Sequence, residues 1–398
     1  MRINLFETSM VGHRPRYLRE ITLGLKANRK DCELRLCIFG RDRETPGYIE
    51  FLGPLEDLFR VCPLPNRTLK GRFRSEITRL RLLHECVVAN PCDRVIIPYG
   101  DGLVPMMGVL PKWLIRKIVP AATQMESMVF RTEWTYPSVR WAEHYYHRLR
   151  RWGVCRWPGR HLHLSDFNAW QRADRKLDRY SASVSLVPEV FEDWTQSGKK
   201  EALEWLKSLG FFAGLRVDLD WGLPVISSPG SPSDRKGTAE LLEAFAINRE
   251  LEGTLLLWGR IPERVEQVLS RRGVSWRDDP RIVVIEKYID EQAFRALFSI
   301  TDVVVLPYQR HLGGVSSLYM LGAIHRKKTI CDNRAWLGWA AEHYQHGLAI
   351  ECSRPEEMQR AFVRVLSGIS IPMASEKAAA ALRSECMHGQ FRKCWGCD

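Results

Sequence analysis

Residues 223–246 read LPVISSPGSPSDRKGTAELLEAFA, and this stretch contains the pattern that decides the fold. It begins with the short apolar run Leu223–Ser227, which passes into a loop of Ser, Pro, Gly and charged residues. From Gly237 to Glu250 the apolar residues recur at helical spacing instead. An apolar run, a turn-rich loop and an amphipathic stretch in this order predict a buried strand, a connection and a helix.

The same alternation continues along the second half of the chain. Apolar runs at Leu255–Trp258, Ile282–Ile285 and Val303–Leu306 predict further strands, and the segments between them have helical spacing. The runs are continuously apolar, so both faces of the sheet should be buried, which is typical of a parallel, doubly wound α/β sheet. Ligands of such sheets bind at the carboxyl ends of the strands, near the point where the strand order reverses.

The first half shows a similar pattern. Strand-like runs occur at Ile3–Phe6, Leu34–Phe39 and Arg94–Pro98, and the apolar segment Ile115–Ala121 is interpreted as another strand. Helical spacing recurs between these runs, so the first half is also expected to form a doubly wound unit.

A chain of 398 residues is long enough for two such units. We predict an N-terminal domain over residues 1–190 and a C-terminal domain over residues 191–370, separated near a polar, Gly-containing segment. Residues 371–398 are expected to pack back on the first domain.

The basic surplus of the chain lies entirely in its first half. The formal net charge is +12; residues 1–200 contain 34 basic and 22 acidic side chains, whereas residues 201–398 contain 25 of each. This asymmetry indicates an anionic partner for the first domain, such as a membrane surface, an anionic substrate or a nucleic acid. Nucleic acid is the weakest of these interpretations, because the chain has no helix-turn-helix, zinc-finger or RNA-binding motif.

The loop Gly230–Gly237 contains the first candidate binding residues. Arg235 and Lys236 precede a predicted helix, where unpaired backbone N–H groups and the helix dipole favour an anion such as a phosphate. A solvated basic loop without a ligand is the alternative interpretation of the same residues.

Three motifs in order resemble glycosyltransferase family 4 and its relatives of the GT-B fold. They are KGTAELLEAFA at Lys236–Ala246, LLLWG at Leu255–Gly259 and DVVVLP at Asp302–Pro307. The resemblance covers about residues 185–366 and is weak in the first half. It implies an α/β protein of GT-B architecture, with two Rossmann-like doubly wound domains facing a central cleft.

The resemblance also implies a donor site in the segment after the third motif. Gly313 and Gly314 would let the backbone approach a diphosphate closely, and Ser316 and Ser317 would cap the following helix and donate hydrogen bonds to an anion. They are either ligand-binding residues or an ordinary helix cap.

The chain departs from the family at several residues. The paired glutamates of the family, which contact donor sugar and ribose, are absent, because Gly313 and Leu321 stand in their places. The phosphate-contacting Arg of the family is Ser231 here, and Arg235 is a potential substitute.

In the first domain, Gly12 and His13 resemble a loop that touches donor phosphate or acceptor in these enzymes. His13 is therefore a candidate catalytic residue, with ordinary surface exposure as the alternative. Asp101, in the sequence YGDG, would either orient an acceptor hydroxyl or terminate a turn. Glu126 is the polar residue nearest to the place where retaining enzymes often have a histidine.

The resemblance implies a hexosyltransferase-type enzyme that moves a sugar from a nucleotide diphosphate sugar to a glycan, lipid or small-molecule acceptor with retention of configuration. Such enzymes need no metal or other cofactor, because a helix N-terminus and basic side chains neutralise the leaving diphosphate. Because the paired glutamates are absent, a catalytically degenerate GT-B-like subunit is the principal alternative.

Residues 139–160 form the densest basic and aromatic stretch of the chain. Ala142, Tyr145, Tyr146, Leu149 and Trp152 form a helical stripe flanked by arginines. This composition fits a helix lying on an anionic membrane surface. It equally fits a helix that packs its stripe into the core and exposes a basic face to water.

Two further expectations concern compartment and metal. No apolar run approaches the ~18 residues that span a bilayer, and the first ten residues, MRINLFETSM, lack the apolar core of a secretory signal. A cytoplasmic protein, free or at the inner face of the membrane, is therefore expected.

The tail residues Cys386, His388, Cys394 and Cys397 are interpreted as reduced thiols and a histidine, with a zinc site as the alternative.

Overall fold

The structure is a computed structural model in which the chain divides into two compact units. One unit spans Met1–Glu192 and also takes in Glu385–Asp398, and the other covers Asp193–Leu312 and Ser316–Ser384. The residues that the structure describes are 1–10, 14–67, 72–130, 141–166, 169, 183–187, 194, 196–213, 222–309, 315–386 and 388–395.

The first unit is built on a seven-stranded sheet in which every pair of neighbouring strands is parallel. The strand order is β3-β2-β1-β4-β5-β6-β7. The order reverses between β1 and β4, which are direct neighbours. The strands are β1 (Arg2–Phe6), β2 (Glu33–Phe39), β3 (Arg60–Leu64), β4 (Arg94–Ile97), β5 (Gln124–Val129), β6 (His161–Leu164) and β7 (Ser183–Leu186).

Helices cover both faces of this sheet and bury two separate apolar cores. Leu18 and Ile21 belong to one core, whereas Leu83, Val104 and Val154 belong to the other. The helices are α1 (Arg14–Asn28), α2 (Pro46–Phe51), α3 (Arg72–Ala89), α4 (Leu103–Val109), α5 (Lys112–Ile118) and α6 (Trp141–Val154).

One predicted strand of the first half is wrong. The segment Ile115–Ala121 is not a strand, because its first four residues, Ile115–Ile118, form the end of helix α5, which begins after Pro111. Leu114, Ile115 and Ile118 are spaced at one helical face and only Ile115 of the three is fully buried. A short apolar run cannot distinguish a strand from about two turns of helix. Here the helix places Ile115 in the core that it shares with residues of α3 and α4.

The second unit is built on a six-stranded parallel sheet with the order β10-β9-β8-β11-β12-β13. The strands are β8 (Val225–Ser228), β9 (Thr254–Trp258), β10 (Ile282–Ile285), β11 (Val303–Leu306), β12 (Lys328–Asp332) and β13 (Leu348–Ile350). The helices are α7 (Lys199–Ser208), α8 (Thr238–Ile247), α9 (Glu263–Arg271), α10 (Glu291–Ile300), α11 (Ser317–Ile324), α12 (Ala335–His343), α13 (Pro355–Leu366) and α14 (Glu376–Glu385). The strand order reverses between β8 and β11, so the predicted parallel, doubly wound sheet is present.

The end of the chain returns to the first unit. Helix α15 (His388–Lys393) packs on α1, and the Nε of Arg392 donates to a buried carboxylate oxygen of Glu20 over 2.7 Å. Phe391 and Trp395 are fully buried in the same core as Ile3. Each removes an aromatic side chain from water, which contributes about 2–3 kcal/mol.

The return begins later than the predicted residue 371. The backbone N–H of Ala374 donates to the Nδ1 of the buried His346 over 3.2 Å, and Gly347 donates its N–H to the carbonyl of Pro372 over 2.8 Å. These bonds hold residues 371–384 in the second unit, and only the residues from Glu385 onwards belong to the first.

Candidate functional site

A compact basic loop follows strand β8 in the second unit. It ends in a 3-10 turn, Asp234–Lys236, which Ser233 caps: the side-chain oxygen of Ser233 accepts from the N–H of Lys236 over 3.3 Å. Thr238 closes the loop from the other side, because its hydroxyl accepts from the N–H of Ser233 and donates to the carbonyl of the same residue. The loop is therefore fixed by its own hydrogen bonds before any ligand binds.

Lys236 turns back across this loop. Its Nζ donates to the carbonyl oxygen of Pro229 over 3.1 Å and lies so close to Gly230 that a Cβ there would collide with it. Burial lowers the pKa of Lys236 to about 8, and the neighbouring charge of Arg235 acts in the same direction. Within the described residues one of its three N–H donors has an acceptor, so the ammonium group is equipped to bind an anion.

The loop after β8 is joined to the loop after the neighbouring strand β11. Gln309 donates its backbone N–H to the carbonyl of Arg235 over 2.9 Å. Gly237 has φ +64° and lies against the carbonyl oxygen of Pro307, which leaves no room for a Cβ. Because β8 and β11 meet where the strand order reverses, Arg235 and Lys236 lie at the place where doubly wound sheets bind ligands.

The helix after β11 begins as predicted. Ser316 is its N-cap, and its hydroxyl accepts from the N–H of Tyr319 over 3.4 Å. Ser317 is the first residue of α11 and is half-buried. Gly313 and Gly314 lie outside the described residues. Leu321, which stands in place of one family glutamate, is a buried residue of α11, and its side chain has no polar group.

In the first unit, Glu7 is the residue that follows strand β1, and it is almost completely buried. Its Oε1 accepts from the Nη1 of Arg14 over 2.5 Å and from the N–H of Thr8 over 2.8 Å, whereas Oε2 has no hydrogen-bond partner among the described residues. Burial raises the pKa of Glu7, and the charges of Arg14 and Arg79 act against that rise. A buried carboxylate oxygen without a partner is costly unless a ligand satisfies it.

Two side chains of α3 extend this cluster. Arg79 donates from Nη1 to Glu76 over 2.5 Å and from Nε to the hydroxyl of Thr8 over 3.2 Å. The Glu76 carboxylate fills the space beside Gly102, so a side chain at Gly102 would displace it. Burial raises the pKa of Glu76 despite the neighbouring Arg79.

An aromatic pair lies beside the same carboxylates. The guanidinium of Arg14 lies 4.1 Å from the ring centroid of Tyr99, which stacks on Phe130 with 5.0 Å between centroids. Asp101 is buried and its Oδ1 accepts from the N–H of Phe130 over 2.8 Å. Asp101 therefore joins the loop after β4 to the end of β5. The group Glu7, Glu76, Arg79, Arg14 and Tyr99, called the Glu7 cluster below, lies at the carboxyl ends of β1 and β4.

The structure does not bring Glu126 to this cluster. Glu126 lies inside β5, four residues before Phe130, which corresponds to about 13 Å along a strand. Its carboxylate forms a buried ion pair with Arg94 of the neighbouring strand. The geometry thus gives Glu126 a structural partner and no access to the carboxyl edge of the sheet. Gly12 and His13 lie outside the described residues.

Sequence patterns identify Asp101 and the loop beside Arg14 but miss Glu7, Glu76, Arg79 and Tyr99. One local signal is available for Glu7: a charged residue directly after a fully apolar strand points to the carboxyl edge of the sheet. Glu76 and Arg79 carry no such signal, because an i,i+3 ion pair on a helix is usually a solvated surface feature.

Two absences concern the described part of the chain only. It contains no group of three or more His, Cys, Asp or Glu side chains arranged to hold a metal ion. None of its helices is both long and apolar enough to cross a membrane. Of the tail residues, Cys397 and the side chain of His388 fall outside the described part, whereas Cys386 is buried.

Two parallel, doubly wound units, each with polar residues at its switch point, define an α/β protein of GT-B architecture. Solved structures of GT-B glycosyltransferases share this architecture over nearly the whole chain. Sucrose-phosphate synthase from Thermosynechococcus elongatus superimposes with a TM-score of 0.69 at 14% identity, covering 98% of this chain and 96% of that one. HepE of Anabaena, solved with UDP and glucose, gives 0.62 at 13% identity, with 99% and 97% covered.

A glycosyltransferase from Rickettsia africae superimposes with a TM-score of 0.61 at 13% identity, covering 98% and 96% of the two chains. No protein-family model matches the sequence, and no curated protein matches it either. At such identities the likeness establishes the fold, and the activity has to be argued from the residues.

Proposed function

We propose that this protein is a glycosyltransferase that moves a sugar from a nucleotide diphosphate sugar to an acceptor. The observation that carries the proposal is the Lys236 ammonium at the β8/β11 switch point, which donates to the Pro229 carbonyl and has two further N–H donors without an acceptor among the described residues. The GT-B architecture supports it, as does HepE of Anabaena, which has the same fold and was solved with UDP and with UDP-glucose.

The proposed donor site uses electrostatics rather than a metal. In the transfer, the bond between the anomeric carbon and the diphosphate oxygen breaks, and a bond forms between that carbon and the acceptor hydroxyl oxygen. Negative charge develops on the leaving diphosphate, which takes up the proton of the acceptor hydroxyl. Lys236, Arg235 and the N-terminus of α11 at Ser316 and Ser317 stabilise that charge, and Gly313 and Gly314 give the phosphates access to backbone N–H groups. No metal or other cofactor is needed for this chemistry.

The proposed acceptor site is the Glu7 cluster of the first unit. The Oε2 of Glu7, which has no hydrogen-bond partner among the described residues, accepts a hydrogen bond from an acceptor hydroxyl. Asp101 acts as a positioning residue by holding Phe130 beneath Tyr99. His13 is proposed as a catalytic residue, and retention of configuration is proposed from the family resemblance.

Binding of UDP and GDP to the purified protein, measured by calorimetry, tests the donor site. Wild-type protein is expected to bind at least one nucleotide diphosphate with micromolar to millimolar affinity, and Lys236→Ala to bind it about tenfold or more weakly. Lys200→Ala, which removes an exposed lysine of α7 in the same unit, is the matched control and should bind like wild type. Absence of binding to any nucleotide diphosphate at millimolar concentration would contradict the proposal.

A degenerate, non-catalytic GT-B protein is the second candidate, because a specific observation favours it. Leu321 fills the place of a family glutamate with a buried apolar side chain. Assays of donor hydrolysis and of transfer to a panel of acceptors separate the two candidates. Nucleotide binding without turnover of any sugar nucleotide would support the degenerate subunit, and release of free nucleotide diphosphate would support the enzyme.

A further inference from the structure

Helix α6 presents an apolar stripe to solvent. Tyr145 is 62% exposed, Leu149 56% and Trp152 45%. These residues are spaced four and three positions apart, so they lie on one face of the helix. Large apolar side chains that share an exposed face are unusual on a soluble domain and indicate an interaction surface.

The packing of α6 explains why the face with Tyr145, Leu149 and Trp152 is exposed to solvent. The helix crosses α4 at its neighbouring face, where Gly108 and Gly153 bring the two backbones so close that neither position has room for a Cβ. Val154 is buried in the core on that side. Arg150 is buried as well and donates from Nη2 to the carbonyl of Asp101 over 2.8 Å. Among its described side chains, the helix therefore buries Arg150, Gly153 and Val154 and exposes Tyr145, Leu149 and Trp152.

Arginines surround the exposed stripe. Arg148 is exposed beside Leu149, and Arg151 is half-buried beside Trp152. The guanidinium of Arg156 lies 4.6 Å from the Trp152 ring centroid. Residues 139–160 contain six arginines and one acidic residue, Glu143. The surface is thus both apolar and strongly basic.

Helix α5 of the same unit has the same character. Trp113 is 62% exposed, and the Nζ of Lys117 lies 5.3 Å from its ring centroid. Lys112 and Arg116 are exposed, and residues 112–118 contain no acidic side chain. Helices α5 and α6 bury Ile115 and Val154 in one core, so both belong to the same helical layer of the first unit.

We propose that α6, with α5, attaches this protein to the surface of an anionic lipid bilayer. Trp and Tyr rings are favourable at headgroup level, where the ring is apolar and its polar edge stays hydrated, and Leu149 reaches the acyl boundary. Arg148, Arg151 and Arg156 bind anionic headgroups. We assign this surface to a bilayer because its apolar and basic residues occur together on one face. Binding of a soluble anion would require the basic residues but not the exposed apolar ones. This attachment is independent of the proposed transferase activity.

Co-sedimentation of the full chain with large unilamellar vesicles tests the proposal. The protein is expected to bind vesicles of phosphatidylcholine with 30% phosphatidylglycerol, to bind pure phosphatidylcholine much more weakly, and to dissociate as salt rises from 0.05 to 0.5 M. Each surface arginine contributes about fivefold to such binding, so the double variant R148Q/R151Q should bind roughly 25-fold more weakly. The matched control Arg271→Gln removes an exposed arginine of the second unit and should bind like wild type.

The apolar contribution is tested separately by L149S/W152S. These side chains are exposed, so the variant should fold, which its circular dichroism and melting temperature verify, and it should lose most vesicle binding. Ile49→Ser, which replaces an exposed apolar residue of α2, is its control. Binding of L149S/W152S at the wild-type level, or no binding of wild type to anionic vesicles at low salt, would overturn the proposal. A wild-type dimer that L149S/W152S converts to a monomer would overturn it as well, because the stripe would then be a protein interface.

Discussion

The imidazole ring of His163 packs against the indole of Trp395, with 4.2 Å between the ring centroids. His163 belongs to β6, and Trp395 follows the C-terminal helix α15, so this contact joins the last turn of the chain to the sheet of the first unit. The pKa of His163 lies well below its ordinary value, mainly because the ring is completely buried and secondarily because His161 and Arg94 are near.

Acidification should therefore release α15 from the first unit. A histidine with a lowered pKa in the folded state is neutral there, whereas the unfolded chain binds a proton below about pH 6.5. The stabilisation by the neutral ring is complete above pH 6.5 and is lost progressively as pH falls, at up to about 1.4 kcal/mol per pH unit. Hydrogen exchange at pH 7.5 and 5.5, corrected for intrinsic rates, is expected to show reduced protection in α15.

Residues Leu36–Phe39 of β2 are the internal control for this exchange experiment, because they are all buried and belong to the same unit as α15. Equal loss of protection in these residues and in α15 would indicate unfolding of the first unit and would contradict a local release. Unchanged protection of α15 at pH 5.5 would contradict the prediction, because it would show that acidification does not weaken the contact between His163 and Trp395.

The buried pair of Arg94 and Glu126 provides a second prediction. Glu126→Gln leaves the Arg94 charge buried without a counter-ion, so the free energy of unfolding should fall by about 3–5 kcal/mol in urea titrations. The double variant R94M/E126M removes both charges and should recover most of that loss. If Glu126 acted in catalysis instead, Glu126→Gln would abolish turnover with little change in stability.

Gly237 provides a third prediction, with a matched glycine as control. Gly237→Ala should destabilise the protein by more than the roughly 1–2 kcal/mol that a left-handed backbone costs a non-glycine residue, because its Cβ collides with the Pro307 carbonyl. Gly273 has a similar φ of +69°, but no atom lies within 4 Å of the position that a Cβ would take there, so Gly273→Ala should incur the backbone cost alone. Thermal melts of both variants measure the difference, and equal melting temperatures would refute the close approach of the two loops.

The lowered pKa of Lys236 predicts how donor binding depends on pH. The ammonium is charged below about pH 8 and loses its proton above it, so affinity for a nucleotide diphosphate should decrease as pH rises from 7 to 9.5. Lys236→Arg keeps its charge over this range and should give a flatter profile, measured by calorimetry. A wild-type profile as flat as that of Lys236→Arg would mean that this ammonium does not contact the diphosphate.

Glu7 is expected to act on the acceptor and not on the donor. Glu7→Gln exchanges a charged acceptor of hydrogen bonds for a neutral amide, so the acceptor KM should rise while the affinity for nucleotide diphosphate stays unchanged. Steady-state kinetics with each substrate varied in turn measure both effects. Glu56→Gln, on the exposed surface of the same unit, is the control, and equal effects of the two variants would contradict an acceptor role for Glu7.

Most of the fold could be predicted because its signals are local. The apolar strands β8 to β11 and the helix after Lys236 are each determined by a few neighbouring residues, and the Asp290 cap is recognisable from its position before α10, where its carboxylate accepts the N–H of Ala293. Ile115 shows the limit of such signals, since its apolar segment is equally compatible with a strand and with the helix it forms.

The parts that escaped prediction depend on contacts between distant residues. Glu7, Arg14 and Arg79 meet only because β1, α1 and α3 are assembled around one edge of the sheet. The stripe on α6 is recognisable in the sequence, but the sequence does not show whether the stripe faces the core or the solvent. The close crossing of α4 and α6 at Gly108 and Gly153 determines which face of α6 is exposed.

The position of α15 has a consequence for synthesis of the chain. Phe391 and Trp395 belong to the same core as Ile3 and Leu5, yet about 200 residues of the second unit are translated between them. At ~5–20 residues per second, the ribosome delivers these two aromatic side chains roughly 10–40 s after the seventh strand of the sheet. During that interval one face of the first sheet lacks part of its cover, so the nascent first unit is the stage at which this protein most needs protection from aggregation.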